Sequence, residues 1–231
     1  MDTINLKLLK NVFIYGIGKS SEQFVKFLLL PLYTSYLSTA DYGILSLVNL
    51  FAQFSGVLFG LGTQSSVFRY YKSENNKRFN DSIFYSSLTI LIIWVSLLMI
   101  VLFLLKETIS LALFDNIVYS NHIMLGLGMT AAVSLYNIPM FILRAEEKSV
   151  LFVKYNLFKV LISIILGIYF VAILKRGALG ALEAAFLTSL FFAIITLWSR
   201  IKTSEFYFSI DKIKLIAKYG APLILSGIGM I

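Results

Sequence analysis

Uncharged runs long enough to cross a bilayer punctuate this chain. Residues 42–68 lie between Asp41 and Arg69 without a charge, 82–105 between Asp81 and Lys106, and 116–143 between Asp115 and Arg144. A helix needs about 20 mostly apolar residues to cross roughly 30 Å of hydrocarbon, so each run predicts a span. Three more apolar stretches are long enough but carry charge: 11–37 with Lys19, Glu22 and Lys26, 150–174 with Lys154 and Lys159, and 177–199 with Glu183. A seventh starts near Lys214 and is still short of a crossing at Ile231. The pattern predicts an all-α integral membrane protein, a six-helix transmembrane lobe plus the start of a seventh helix.

Composition agrees, with 58% of the 231 residues apolar and 14% charged, far from the balance of a water-soluble domain. The net charge of +8 would suggest nucleic acid in a soluble protein, but its distribution argues for topology. With the N-terminus cytoplasmic, the inner loops hold Lys7, Lys10, Arg69, Lys72, Lys77, Arg78, Arg144, Lys148, Lys154, Arg200, Lys202, Lys212, Lys214 and Lys218, and the outer loops only Lys106, Lys175 and Arg176. That bias fixes the N-terminus inside and removes nucleic acid as a partner. Zero Cys and a single His, His122, leave no thiolate site, His-paired triad or multi-His metal centre. No catalytic residue, cofactor or metal is expected, and no loop is long enough for a catalytic domain. The first seven residues lack the pattern of a cleaved signal peptide.

The start of the seventh stretch echoes the start of the first. Lys10, Tyr15 and Gly16 match Lys214, Tyr219 and Gly220, both after a basic segment and both entering from the same side, as parallel transporter repeats do. The expected division is an N-terminal lobe at 1–200, a cytoplasmic linker at 201–213 and the truncated first helix of a second lobe at 214–231. A helix ending in mid-membrane would leave its carbonyls in lipid, so a truncated product is expected.

Polar residues within the spans are the functional candidates. Asn11, Tyr15, Lys19, Glu22, Lys26 and Tyr33 fall on one helical face. A charge at mid-membrane costs about 2.5–3.5 kcal/mol on insertion scales, so Glu22 should face the protein interior. The face either pairs internally, with the lysines reaching for water, or lines a wet cavity offering positive charge to an anion. Ser46, Asn49, Gln53, Gly56, Gly60 and Gln64 form an uncharged stripe ending one turn before Arg69, suited to close helix packing or to sugar hydroxyls. Arg69 is a second cation at the inner edge or a simple anchor. Lys159, with Asn156 and Ser163 on its face, is a cavity cation or a snorkelling lysine. Glu183 can reach outer water, Pro139 should bend the fourth span near its inner end, and His122 reads as interfacial.

Several of these motifs resemble a known family. Lys10 to Gly16, Pro31 to Tyr33, Tyr36 to Gly43 with Asp41 and Tyr42, Arg69 to Tyr71, and Tyr219 to Leu223 resemble the polysaccharide transporter branch, the Wzx-like O-antigen and repeat-unit flippases, of the multidrug/oligosaccharidyl-lipid/polysaccharide exporter superfamily. The resemblance implies two six-helix lobes in a V around a cationic cavity. It implies movement of an undecaprenyl-pyrophosphate-linked oligosaccharide across the bacterial cytoplasmic membrane by alternating access, with membrane lipid and polysaccharide assembly proteins as partners. The candidate cavity set is then Lys19, Glu22, Lys26, Asn49, Gln53, Gln64, Arg69, Asn156 and Lys159. A chain of one lobe would need a second copy or a C-terminal lobe. The alternatives are a multidrug or cation antiporter of the same superfamily, a teichoic acid or cell-wall precursor exporter, a membrane glycosyltransferase, and a non-transporting remnant.

Overall fold

The computed structural model describes residues 27–71, 73, 74 and 76–228, so Lys19, Glu22 and Lys26 lie outside the described residues. The elements are α1 (Phe27–Tyr36), α2 (Thr39–Gly60), α3 (Thr63–Tyr70), α4 (Lys77–Leu104), α5 (Lys106–Phe114), a 3-10 turn (Ile117–Tyr119), α6 (Ser120–Ala145), α7 (Ser149–Gly167) continuing as a π-helix (Ile168–Ile173), α8 (Gly177–Ile201) and α9 (Ile210–Ile228). No strand occurs among them. Five of these helical segments, Thr39–Gly60, Lys77–Leu104, Ile117–Ala145, Ser149–Ile173 and Gly177–Ile201, are long and apolar enough to cross a membrane.

α6 and α8 form the centre, packing most extensively against one another, with α2 on α6 and α7 on α8. The buried share of the most apolar stretch is 56% for the segment containing α6 and 50% for α8, against 22% for both α4 and α7, which turn most of their surface outward. Small residues let backbones approach in lipid, where van der Waals contact replaces the hydrophobic effect as the driving force: Gly128 on α6 lies against the Phe186 ring of α8 and Gly126 against Val48 of α2, and Ala131 and Ala132 on α6 and Ala178, Ala181, Ala184 and Ala193 on α8 are buried. Hydroxyls in these contacts bond back to their own helix: Thr130, facing Gly56 of α2, to the Gly126 carbonyl at 2.9 Å, and on α8 Thr188 to Ala184 at 2.7 Å and Thr196 to Phe192 at 2.7 Å. Each polar group is thereby satisfied without water.

The loops sort into two ends, named outer and inner after the charge bias of the sequence. At the outer end Asp41 closes a capping box with Ser38 at the start of α2 and also accepts from the Ala178 amide at 2.8 Å, capping the start of α8. At the inner end Asp81, Glu146, Arg200 and Glu205 meet.

Two expectations are modified. The uncharged run 42–68 is not one span: α2 stops at Gly60, Leu61 and Gly62 take left-handed conformations at φ 47° and 62°, and α3 starts anew. Two consecutive left-handed residues cannot continue a right-handed helix. The outer segment after Lys106 is helix α5 rather than open loop. Pro139, the expected site of a bend, lies buried within α6.

Candidate functional site

α2 presents three faces. Leu45, Val48, Ala52, Ser55 and Phe59 are buried, Leu47, Leu50, Phe54 and Leu58 are exposed and apolar, and between these faces run Ser46, Asn49 and Gln53, all exposed. At 100° per residue the polar stripe stands apart from both other faces. Gly56 continues it against α6, where an added methyl would come within 2.9 Å of Thr130 Cγ2. Gln64, assigned to the same stripe, stands beyond the break on α3, with its amide nitrogen 3.9 Å from where a Cβ on Gly60 would sit.

A second polar group lies between α6 and α7. Lys159 Nζ stands 4.4 Å from the centre of the Tyr136 ring, and the Tyr136 hydroxyl donates to Asn156 Oδ1 at 3.2 Å, while Asn156 Nδ2 donates to the Phe152 carbonyl at 3.0 Å. Tyr136 and Asn156 are buried, so Asn156 serves the helix contact and holds the phenol under the ammonium. A half-buried cation over an aromatic face is stabilised by about 1–2 kcal/mol. Towards the inner end the same seam opens into a cleft of about 80 Å³ among Pro139, Leu143, Tyr155, Thr196, Ser199 and Arg200.

Arg69 closes the inner end of α3. Its guanidinium lies 4.6 Å from the Tyr219 ring centre and 5.8 Å from that of Tyr70, and the two rings meet edge to face at 5.8 Å. Ser66 Oγ donates to the Ile216 carbonyl at 3.0 Å, and Gly220 of α9 sits in the notch made by Leu61 and Gly62, where a Cβ on Gly62 would overlap the Gly220 backbone. Arg69 is therefore exposed yet fixed against the helix that follows the linker.

The most connected charges were not among the sequence-derived site candidates. Arg200 Nη1 donates to Glu146 Oε1 at 2.8 Å, and Nη2 reaches the Tyr71 hydroxyl at 2.6 Å and Asp81 Oδ1 at 3.3 Å. Tyr71 donates to Glu146 Oε1 at 2.6 Å, Lys148 pairs with Glu146 Oε2 at 2.7 Å, and Asp81 Oδ2 accepts from the Glu205 amide at 3.1 Å. Burial alone would raise the Glu146 pKa, but hydrogen bonds from Lys148 and Tyr71 and the Arg200 charge outweigh it and hold the carboxyl below its ordinary value. Burial and the bond to Glu146 push the Tyr71 phenol well up, so it remains a donor. The cluster joins the inner ends of α3, α4, α6 and α8 to the linker. Its members come from the ends of helices far apart in the chain and from the segments between them, so spacing could not have grouped them.

The remaining candidates are structural. Glu183 pairs with Arg176 at 2.9 Å, and half-buried His122 meets Tyr119 edge to face at 5.4 Å. Among the described residues no group of His, Asp and Glu is arranged to hold a metal. The structure thus divides the candidate cavity residues into the α2 stripe (Asn49, Gln53), the α6–α7 seam (Asn156, Lys159) and the inner edge (Gln64, Arg69).

Comparison with known proteins defines the class. The profile of the family described as polysaccharide biosynthesis protein matches residues 8–231, and the chain belongs to that family. No curated protein sequence matches. Solved structures share the fold: an outward-facing multidrug resistance MATE family transporter of the MOP superfamily (TM-score 0.81, 17% identity) and a MOP superfamily transporter from Pyrococcus furiosus (TM-score 0.81, 18% identity), each matched over 97% of this chain and 53% of theirs. A MATE in complex with MaD3S gives a TM-score of 0.80 at 19% identity over 97% and 54%. The chain spans about half the length of these structures. It has the fold of one half of a multi-pass membrane transporter.

Proposed function

We propose that this chain forms one lobe of an exporter that moves a lipid-linked oligosaccharide, an undecaprenyl-pyrophosphate-linked O-antigen or capsule repeat unit, across the bacterial cytoplasmic membrane. The observation that carries the reading is the match to the polysaccharide biosynthesis family over residues 8–231, together with a cation, Lys159, half-buried at the α6–α7 seam over Tyr136. A pyrophosphate needs a cation on its path, and a sugar chain needs amides such as Asn49 and Gln53, while the lipid tail stays in the bilayer. In this proposal Lys19, Lys26, Arg69 and Lys159 attract the phosphates, Glu22 balances the lysines of the first span, and Gln64 and Asn156 add polar contacts. Residues 1–200 are the lobe, 201–213 the inter-lobe linker and 214–231 the first helix of a second lobe. Six spans with the N-terminus inside complete the lobe, and alternating access requires a second lobe opposite it. Polysaccharide assembly proteins would receive the unit on the outer side.

Multidrug or cation antiport is the second reading, favoured by the shared fold with a multidrug resistance MATE transporter. The two are separated by complementation. Expression in a strain lacking its repeat-unit flippase should restore surface polysaccharide, and Lys159→Ala should lower it at normal protein level. Drug resistance without polysaccharide export would reverse the order of the two readings.

A further inference from the structure

The linker after α8 carries an inverted pattern. No helix forms between Lys202 and Ser209, and the chain is pinned to α4 by every second residue: Glu205 through its amide to Asp81 and its carboxylate to Lys77 at 2.9 Å, Tyr207 through the Arg78 guanidinium 4.5 Å from its ring centre, and Ser209 through a bond from its amide to Ser86 Oγ and one from that hydroxyl to its carbonyl. The alternate residues point the other way. Phe206 is 72% exposed, Phe208 46% and Ile210 61%, although Phe206 also rests one edge on Tyr85. An extended segment packed on a protein ordinarily turns its apolar side inward, so an outward apolar row held by inward polar bonds is arranged for an apolar neighbour.

Cations surround this row. Lys202 stands 5.0 Å from the ring centre of Trp198, itself 61% exposed, Arg78 lies on Tyr207, and Lys212 stands 3.8 Å from the Phe79 ring centre. Nearby Lys214 and Lys218 are also exposed, and the one acid near them on α9 is Asp211. Aromatic side chains flanked by Lys and Arg at the cytoplasmic end of a bundle match the boundary between acyl chains and headgroups. The cationic rim matches an anionic headgroup.

We propose that residues 202–212 are an interfacial strap that inserts Phe206, Phe208 and Ile210 beneath the headgroups of the inner leaflet and selects anionic phospholipid through Arg78, Lys202 and Lys212. The strap ties α4 and the start of α9 to that leaflet, so the linker follows the membrane surface as well as the lobe. This claim does not depend on what the protein transports.

Trp198 makes the test direct, because the chain has two tryptophans and the other, Trp94, which donates to the Leu58 carbonyl, can be replaced. In the full chain carrying Trp94→Phe, reconstituted in phosphatidylcholine vesicles, Trp198 emission is titrated with brominated phosphatidylglycerol or brominated phosphatidylcholine. The glycerol lipid should quench at least about fivefold more per mole, since each surface cation contributes about that factor, and the preference should shrink at high salt. Arg78→Gln with Lys202→Gln and Lys212→Gln should bring the ratio near one, while Lys106→Gln at the outer end leaves it unchanged. Equal quenching by both lipids, or a preference that survives the triple substitution, overturns the proposal. Absence of quenching by either lipid also overturns it and assigns the row to protein, a second lobe or a second copy. Should the triple variant misfold, Lys202→Gln alone, which removes the ammonium 5.0 Å from the Trp198 ring centre, should still lower the ratio by about the fivefold of one surface cation.

Discussion

Replacing Arg200 by methionine keeps most of the side chain's length and removes its charge and five donors. Glu146 would keep Tyr71 and Lys148, but Asp81, whose side chain is only 2% exposed, would keep the Glu205 amide alone. Stranding a buried partner in this way costs about 3–5 kcal/mol. Because the Arg200 side chain is 13% exposed and the bond to Asp81 is long at 3.3 Å, the lower end, about 3 kcal/mol, is expected. Unfolding in mixed micelles followed by the loss of helical circular dichroism measures it. Asp81→Asn in the Arg200→Met background should recover about 1–2 kcal/mol, because a neutral amide needs no counter-charge. The pH dependence has a definite sign. Glu146 is held below its ordinary value, so its contribution is present above about pH 5 and is lost as pH falls below about 4; in Arg200→Met part of that acid dependence should vanish. A loss under 1 kcal/mol, or no recovery with Asp81→Asn, would refute the account of the cluster as a mutually dependent unit.

Gly220→Ala should cost about 1–3 kcal/mol by pushing α9 off the notch, since its Cβ would sit 2.5 Å from the Leu61 carbonyl oxygen. A Ser66→Cys, Ile216→Cys pair in this cysteine-free chain should cross-link readily in the parent and poorly in that variant. Tyr136→Phe leaves Asn156 Oδ1 without its donor and should lower stability by about 1–2 kcal/mol, checked by the same unfolding assay, whereas Lys159→Ala should affect export at unchanged protein level. Asp41→Ala removes caps from both α2 and α8 and should cost about 2 kcal/mol, with faster amide exchange at Ala178.

The hydrophobic runs made the spans legible because lipid imposes one length on every crossing, and the boundaries of α4, α6, α7 and α8 fall close to the charges that flank them. The break at Leu61 was not legible from hydropathy, since the chain stays uncharged across it; the Gly60, Leu61, Gly62 sequence was the available signal, glycine being at ease where φ is positive. The i, i+3 spacing of Asn156 and Lys159 was correct, but spacing does not say which neighbour a face meets, and Tyr136 on α6 decided that. Arg69 was singled out for its charge, while its aromatic partner Tyr219 stood in the repeat motif and was not joined to it. Arg200 was counted only as topology, Asp81 only as the edge of an uncharged run, and Glu146 was not singled out, because ion pairing between distant helix ends leaves no periodic trace. Phe206, Phe208 and Ile210 did leave one, a period of two in a segment passed over as linker.

The notch at Leu61 and Gly62 also limits how this sequence can drift. A glycine at 220 is accommodated because 62 is a glycine, and 62 stays small because 220 lies against it, so neither can acquire a side chain alone. Descendants of this chain should therefore keep both glycines or lose both together, and a homologue bearing a larger residue at one of them must route its linker helix differently. Two positions from opposite ends of the chain inherit a single constraint.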